Sequence, residues 1–309
     1  MNNEIGIQRI ALIGFGEAGS ILGEDLAKQG CAVTMYDILL DSLSTCDAML
    51  AKAKRLNVRA VSSLRDLIRG DLGSVDARPQ LIISAVTASS SPDVAKDSAI
   101  HLARGQVFLD INSCAPETKR ANSAAVEVSG ADYVEAAVMA PVPPQRLAVP
   151  MLLGGKRAHV VSNALRASGM NATPIAEEIG VASAVKMCRS IVIKGLEALT
   201  TECVLAARKL GAEEQVLASL HNSFPHMGWT TTLPDYLVSR VAEHGRRRAA
   251  EMREVARTLE DIGMQPTMAS ATAEKQDWLV DEMAARGILY SKDQAFSWRA
   301  IADALTRKV

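Results

Sequence analysis

An α/β fold, a mostly parallel doubly wound sheet followed by an all-helical region, is predicted by three observations. A buried-strand pattern over residues 10–13 runs straight into a glycine-rich turn and then into a helical pattern. Short apolar runs and helical patterns alternate up to about residue 174, and beyond Pro174 only helical periodicity remains.

The first element is Ile10-Ala-Leu-Ile-Gly14-Phe15-Gly16-Glu17-Ala18-Gly19-Ser20. Its glycine-x-glycine-x-x-glycine spacing has a physical reading. Gly14 permits the tight turn, Gly16 lets the backbone approach a pyrophosphate, and Gly19 lets the following helix pack on the strand, while the helix N-terminus attracts phosphate charge. A helix over residues 20–29 is stopped by Gly30, residues 32–36 form a second strand, and Asp37 stands at its end. That is near the distance expected of a carboxylate binding an adenosine ribose. A Rossmann-type dinucleotide site over Gly14, Phe15, Gly16, Glu17, Ala18, Gly19 and Asp37 is therefore expected. Asp37 accepts from ribose hydroxyls and repels a 2′-phosphate, and no arginine follows at once in Asp37-Ile-Leu-Leu-Asp41, so the expected cofactor is NAD rather than NADP.

Further strands are expected at residues 81–86, 107–110, 133–138 and 151–153. The first ends at Val86 and passes into Thr87-Ala-Ser-Ser-Ser-Pro92. This small polar loop reads either as cover over the cofactor, with Val86 and Thr87 in contact, or as a turn serving solubility. The next ends in Asp110-Ile-Asn112-Ser113-Cys114-Ala-Pro116, offering an amide and a hydroxyl at the same sheet edge before a proline that opens a helix. Ser113 reads as a ligand group or as a helix cap. Helices follow over residues 179–210, stopped by Gly211, and over 213–224, 236–262 and 272–286. The implied domains are 1–174 and 175–309.

The 309 residues carry a formal net charge of -1 without a long run of one sign, so neither nucleic acid nor an anionic membrane is implied as a partner. No secretory signal or apolar span is visible, and a cytoplasmic location is the default expectation. Five scattered cysteines suit reduced thiols, and without His-x-x-x-His or Cys-x-x-Cys spacing no metal site is expected.

The candidate catalytic residue is Lys186, in Gly180-Val-Ala-Ser183-Ala-Val-Lys186-Met-Cys188-Arg189-Ser190. It occupies the first turns of a helix apolar on nearly every side over residues 187–205, a pattern that predicts burial. Desolvation and the positive helix end lower a lysine pKa and allow proton exchange near neutrality; a lysine snorkelling to the surface is the alternative. Arg189 reads as a clamp for an anionic substrate, as a charge depressing the lysine pKa, or as a surface residue. His244 falls on the apolar stripe Leu237, Val241, Gly245, Met252, Val255 and Leu259 and reads more readily as a core histidine than as a ligand. Cys114 and Cys188 read as packing residues.

The glycine fingerprint, the 110–116 segment and the glycine-then-lysine helix occur in that order and at family spacing. The chain thereby resembles the β-hydroxyacid dehydrogenase family, which includes 3-hydroxyisobutyrate and 6-phosphogluconate dehydrogenases, and more narrowly the branch whose C-terminal domain is labelled DUF1932. The resemblance implies a Rossmann-type domain, a helical 6-phosphogluconate dehydrogenase-like domain, and oxidation of a small-molecule hydroxyl by hydride transfer at the cleft between them. It implies Lys186 as general acid/base, Asn112 and Ser113 beside the substrate, and pairing into a homodimer or larger oligomer through the helical domain.

Two departures matter. The family segment Asp-Ala-Pro-Val-Ser-Gly-Gly, which binds the substrate carboxylate, is here Glu135-Ala-Ala-Val-Met139-Ala140-Pro141, and the two asparagines after the lysine are Arg189 and Ser190. The expected substrate surface is thus Met139, Ala140, Pro141, Arg189, Ser190 and His244, suited to a bulkier or less acidic hydroxy compound. Imine reduction on the same scaffold is an alternative. So is a dinucleotide-binding sensor without turnover, favoured by loss of Ser-Gly-Gly and opposed by Lys186.

Overall fold

The computed structural model describes residues 6–70 and 78–306; the N-terminal flank 1–5, residues 71–77 and residues 307–309 lie outside the described residues. Its residues fall into two compact units, Met1–Lys186 and Met187–Val309.

The first unit is built on one eight-stranded sheet: β1 (Arg9–Ile13), β2 (Ala32–Tyr36), β3 (Arg59–Ala60), β4 (Leu81–Ser84), β5 (Val107–Asp110), β6 (Asp132–Val138), β7 (Met151–Gly154) and β8 (Ala172–Ala176). Spatial order is β3-β2-β1-β4-β5-β6-β7-β8, parallel throughout except where β7 runs against β6. Helices α1 (Glu17–Lys28), α2 (Cys46–Arg55), α3 (Leu64–Arg69), α4 (Ser91–Ala99), α5 (Pro116–Glu127), α6 (Val142–Gln145) and α7 (Ala158–Ala167) connect the strands. Side chains alternate between the two faces of a strand, and the core follows that alternation. Ile10 and Leu12 join Leu22, Leu26 and Met35 on one face, while Ala11 and Ile13 join Ile82, Phe108 and Tyr133 on the other. Such strands, buried on both sides, read in the sequence as unbroken apolar runs.

Two strands escape the sequence reading. β3 is only two residues long, and β8 contains Pro174, which places it at the edge of the sheet where a missing N–H is tolerated. Because β8 continues to Ala176, the sheet outlasts the expected 174/175 boundary. The first turn of the next helix also belongs to the sheet unit, and the division falls between Lys186 and Met187.

That helix, α8 (Val181–Lys209), is followed by α9 (Glu213–Ser223), α10 (Leu233–Asp261), α11 (Thr267–Ala285) and α12 (Trp298–Thr306). In the second unit Val204, Leu217, Trp229, Val238, Val241, Leu279, Met283 and Trp298 form one core, and Met187, Ala249, Met252, Val255, Ala269 and Ala273 another. α10 and α11 approach closely at Gly245, where a Cβ would stand 2.5 Å from Val280 Cγ2 and 2.7 Å from the Gln276 carbonyl oxygen. α12, whose N-terminal Trp298 is buried, lies outside the helices expected from periodicity.

No helix among the described residues is long and apolar enough to cross a membrane.

Candidate functional site

β1 has β2 on one side and β4 on the other, so the chain reverses direction across the sheet at its carboxyl end; ligands of doubly wound folds bind at such a crevice. Gly14 lies there with φ +88°, and a Cβ on it would meet the Ala85 carbonyl oxygen at 2.6 Å. On Gly19 a Cβ would stand 2.1 Å from the Gly14 carbonyl oxygen, which fixes the close strand-to-helix approach. Gly16 differs. A Cβ there would meet nothing within 4 Å, so the protein's own packing does not demand glycine. The space it leaves lies at the start of α1, where the first N–H groups of a helix have no intrahelical partner.

Asp37 is buried and held from two sides. Its Oδ2 accepts from the Phe15 N–H at 2.6 Å and its Oδ1 from the Leu39 N–H at 3.0 Å. Each oxygen keeps a further lone pair. The neighbouring Tyr36 donates its hydroxyl to Asp41 at 2.6 Å; burial and then Asp41 push the phenol up to about 12.

The ends of β4 and β5 are tied to the same crevice. Val86 N–H donates to Asn112 Oδ1 at 2.7 Å, and Asn112 Nδ2 donates to Ser84 Oγ at 2.9 Å and Ser91 Oγ at 3.1 Å. The amide expected to face a substrate is instead engaged within the protein, and Asn112 is buried. Ser113 is partly exposed in the otherwise buried 110–116 segment. The cap of α5 is Ala115, so Ser113 does not serve as that cap. Thr87 is exposed and joined to Ser89 and Ser90 by hydroxyl contacts of 3.0 and 2.9 Å, which makes the serine-rich turn self-supporting.

Beneath Asn112 lies a buried network that sequence reasoning missed. Lys119 Nζ pairs with Asp110 Oδ1 at 2.7 Å and donates to the Asp110 carbonyl oxygen at 2.9 Å; Tyr133 donates its hydroxyl to Asp110 Oδ2 at 2.7 Å, and Asn122 Nδ2 donates there at 3.1 Å. Burial pushes the Asp110 carboxyl up, but Lys119, Tyr133 and the Asn112 N–H outweigh it and hold the group below the ordinary range. The same carboxylate, after burial, drives the Tyr133 phenol well above its usual value.

Lys186 is half-buried in the second turn of α8, and the start of that helix is clamped by Glu135 of β6. The Glu135 carboxylate is fully buried. It accepts from the N–H groups of Gly180 (2.7 Å), Ala182 (3.1 Å) and Ser183 (3.4 Å), and from Ser183 Oγ (2.9 Å). A carboxylate satisfying first-turn donors is what an N-cap supplies locally; here it comes from a strand distant in sequence. A charged residue inside the apolar run 133–138 was the available signal, because carboxylates are rarely buried unless paired. Four residues on, Met139 and Ala140 are partly exposed and Pro141 exposed, with Met139 N–H donating to the Pro150 carbonyl at 2.8 Å.

The remaining expected site residues belong to the helical unit. Ser190 Oγ accepts from Lys194 Nζ at 3.2 Å, and Lys194 in turn pairs with Glu251 at 2.7 Å. Glu197 accepts from Arg248 at 2.8 Å and Gln276 at 3.3 Å, while its burial pushes the carboxyl up. The buried face of α8 thus carries Ser190, Lys194 and Glu197 beside apolar Met187, Ala198 and Val204, whereas Val192 and Leu199 are 70% and 58% exposed, which corrects the expectation of a buried helix apolar on nearly every side. Arg189 is exposed, as is Cys188, expected as a packing residue. His244 is half-buried rather than in the core, 3.3 Å from Glu243; burial, with Arg240 and Arg247, lowers its pKa to about 4. It is neutral at neutral pH.

The family model describing the NAD binding domain of 6-phosphogluconate dehydrogenase matches residues 9–173, over half the chain. The chain belongs to that family. A domain of unknown function, DUF1932, matches residues 207–279, as the resemblance in the sequence implies. A conserved hypothetical protein from Sinorhizobium meliloti is 34% identical, with a TM-score of 0.76 over 97% of this chain and 96% of that one. The mitochondrial 3-hydroxyisobutyrate dehydrogenase of Drosophila melanogaster is 21% identical over 75% of this chain and 68% of its own. The 3-hydroxyisobutyrate dehydrogenase of Mycobacterium tuberculosis shares the fold at a TM-score of 0.71, with 14% identity over 97% of this chain and all of that one (100%).

Proposed function

We propose that this chain is an NAD-dependent oxidoreductase acting on the carbinol carbon of a hydroxy acid or a related bulky hydroxy compound, with Lys186 as general acid/base. The observation that carries the reading is the shared anchor at Glu135. Its carboxylate fixes the first turn of α8, one turn before Lys186, and its strand leads directly into Met139-Ala140-Pro141. The lysine and the altered substrate segment are therefore held by one residue.

Bound NAD supplies the hydride acceptor. Gly14, Gly16 and Gly19 shape its pyrophosphate cradle, and Asp37 receives its adenosine ribose. A helical side chain leans toward the N-terminus of its helix, so Lys186 lies over the turn containing Ala182 and Ser183. In its neutral form the Lys186 Nζ takes the hydroxyl proton as the carbon is oxidised, and returns it in reduction. Pro141 has no N–H, and Met139 and Ala140 present apolar surface, so this wall favours a branched or aromatic substituent over a small carboxylate. Exposed Val192 and Leu199 on α8 support self-association through the helical unit.

A panel of hydroxy acids, bulkier hydroxy compounds and cyclic imines, read by nicotinamide absorbance, tests the reading. Turnover is expected on the bulkier hydroxy compounds. Lys186→Ala is expected to lower kcat by about 10²–10⁴-fold with NADH affinity retained. A wild-type rate in that variant refutes the role of the lysine, activity confined to imines refutes the substrate class, and a panel without turnover favours the sensor.

A further inference from the structure

Lys52 of α2 reaches the turn between β1 and α1. Its Nζ donates to the Phe15 carbonyl oxygen at 2.7 Å and the Gly16 carbonyl oxygen at 3.1 Å, and lies 5.3 Å from the centroid of the Phe15 ring. In a planar trans peptide the C=O of one residue and the N–H of the next point in opposite directions, and the described residues contain no cis peptide. Holding the Phe15 carbonyl therefore fixes the direction of the Gly16 N–H; the Gly16 carbonyl also accepts from the Ser20 N–H at 3.2 Å and Ser20 Oγ at 2.5 Å, so Lys52 and the helix together fix the Glu17 N–H. These N–H groups sit at the start of α1, where helix donors have no intrahelical partner. Phe15 is also fixed from its other side, because its own N–H is donated to Asp37 at 2.6 Å.

We propose that Lys52 is a positioning residue for the dinucleotide pyrophosphate: it holds the Phe15 carbonyl oxygen of the glycine loop away from the phosphates, thereby aiming the Gly16 amide at them, and reinforces the Gly16 carbonyl that Ser20 also holds. The inference rests on the dinucleotide reading of that loop. Without Lys52 the Phe15–Gly16 peptide loses the bond to its carbonyl, while Ser20 still holds the Gly16 carbonyl, and a Phe15 carbonyl dipole that turns to face a phosphate repels it. The ammonium also places a positive charge beside the anion. Both effects act on the pyrophosphate, which NAD and NADP share.

The test uses the full chain with NADH and NADPH followed by nicotinamide fluorescence, and ADP-ribose and adenosine as competitors. Lys52→Met is expected to weaken NADH, NADPH and ADP-ribose by the same factor, about tenfold, as for loss of a hydrogen bond from a charged group. Adenosine, which lacks the pyrophosphate, is expected to bind as in the wild type, and kcat at saturating cofactor is expected to hold while the KM for cofactor rises. Lys52→Arg keeps the charge and recovers part of the loss. Unchanged NADH affinity in Lys52→Met overturns the proposal. Loss confined to NADPH makes Lys52 a reader of the 2′-phosphate, and equal loss of adenosine makes it a general support of the loop; either result overturns it. A wild-type protein that binds none of the dinucleotides instead refutes the dinucleotide reading.

Discussion

Removing the Glu135 carboxylate is the most demanding perturbation of the clamp on α8. In Glu135→Ala the N–H groups of Gly180, Ala182 and Ser183 and the Ser183 hydroxyl lose an acceptor that is fully buried in the wild type. Stranding several buried donors is expected to cost about 3–5 kcal/mol, the range for breaking a buried charged interaction. Gly154 supplies an internal control. A Cβ added there would meet Glu135 Oε1 at 2.5 Å, Cγ at 3.0 Å and Cδ at 3.2 Å, and these are its three nearest atoms. Gly154→Ala alone is therefore expected to cost about 1–3 kcal/mol by overpacking against the carboxylate. In the Glu135→Ala background the same change is expected to be close to neutral, so the double-mutant cycle should show a coupling of about 1–3 kcal/mol. Urea unfolding followed by far-ultraviolet circular dichroism measures all four proteins, with the slope checked for constancy. Ser183→Ala, which removes one of the four bonds to Glu135 together with the hydroxyl contact to the Gly180 carbonyl, covers the case in which Glu135→Ala does not fold. Additive costs would refute the argument that Gly154 exists to make room for Glu135.

Two further outcomes are expected. Asp110 is held below its ordinary pKa, so the stability it contributes is present above the unfolded value of about 3.9 and is lost as pH falls through the lower folded value. Lys119→Met should cost about 3–5 kcal/mol near neutral pH, and its difference from wild type should shrink below about pH 4; urea midpoints across pH that kept a constant gap would contradict this. Cofactor choice should follow Asp37: NAD is expected to bind more tightly than NADP, and Asp37→Ser to narrow the gap mainly by weakening NAD. Fluorescence titration showing NADP equal or tighter in the wild type would overturn the assignment.

The parts of the fold legible in the sequence are those whose cause is local. β2 and β5 were expected at the bounds observed, because each is an apolar run closed by a turn. Gly14, Gly19 and Asp37 sit where the fingerprint puts them, since a turn angle, a close approach and a strand end are set within a short stretch of chain. The strands β3 and β8 escaped for the opposite reason. Arg59 and Ala60 are too short a run to signal anything, and Pro174 argues against a strand unless its edge position is already known. The polar residues on the buried face of α8 escaped too, because Lys194 and Glu197 are dilute within a long apolar helix, and their partners Glu251 and Arg248 lie on another.

Buried polar partnerships are illegible for a related reason: each partner carries half of a signal that has no fixed spacing. Glu135 in an apolar strand announces that something must satisfy it, but not that the donors are the amides of Gly180, Ala182 and Ser183. Lys52 announces less, standing with Lys54 and Arg55 in the last turn of α2 as an ordinary complement to a helix end. The family departure at this point becomes intelligible only with the structure. Where the family segment begins with aspartate this chain has glutamate, one methylene longer, and the space that the longer side chain occupies is the space a Cβ on Gly154 would fill. The change in the substrate segment therefore extends beyond Met139-Ala140-Pro141 to the residue that sets the start of the lysine helix, which couples the shape of the proposed substrate wall to the placement of Lys186.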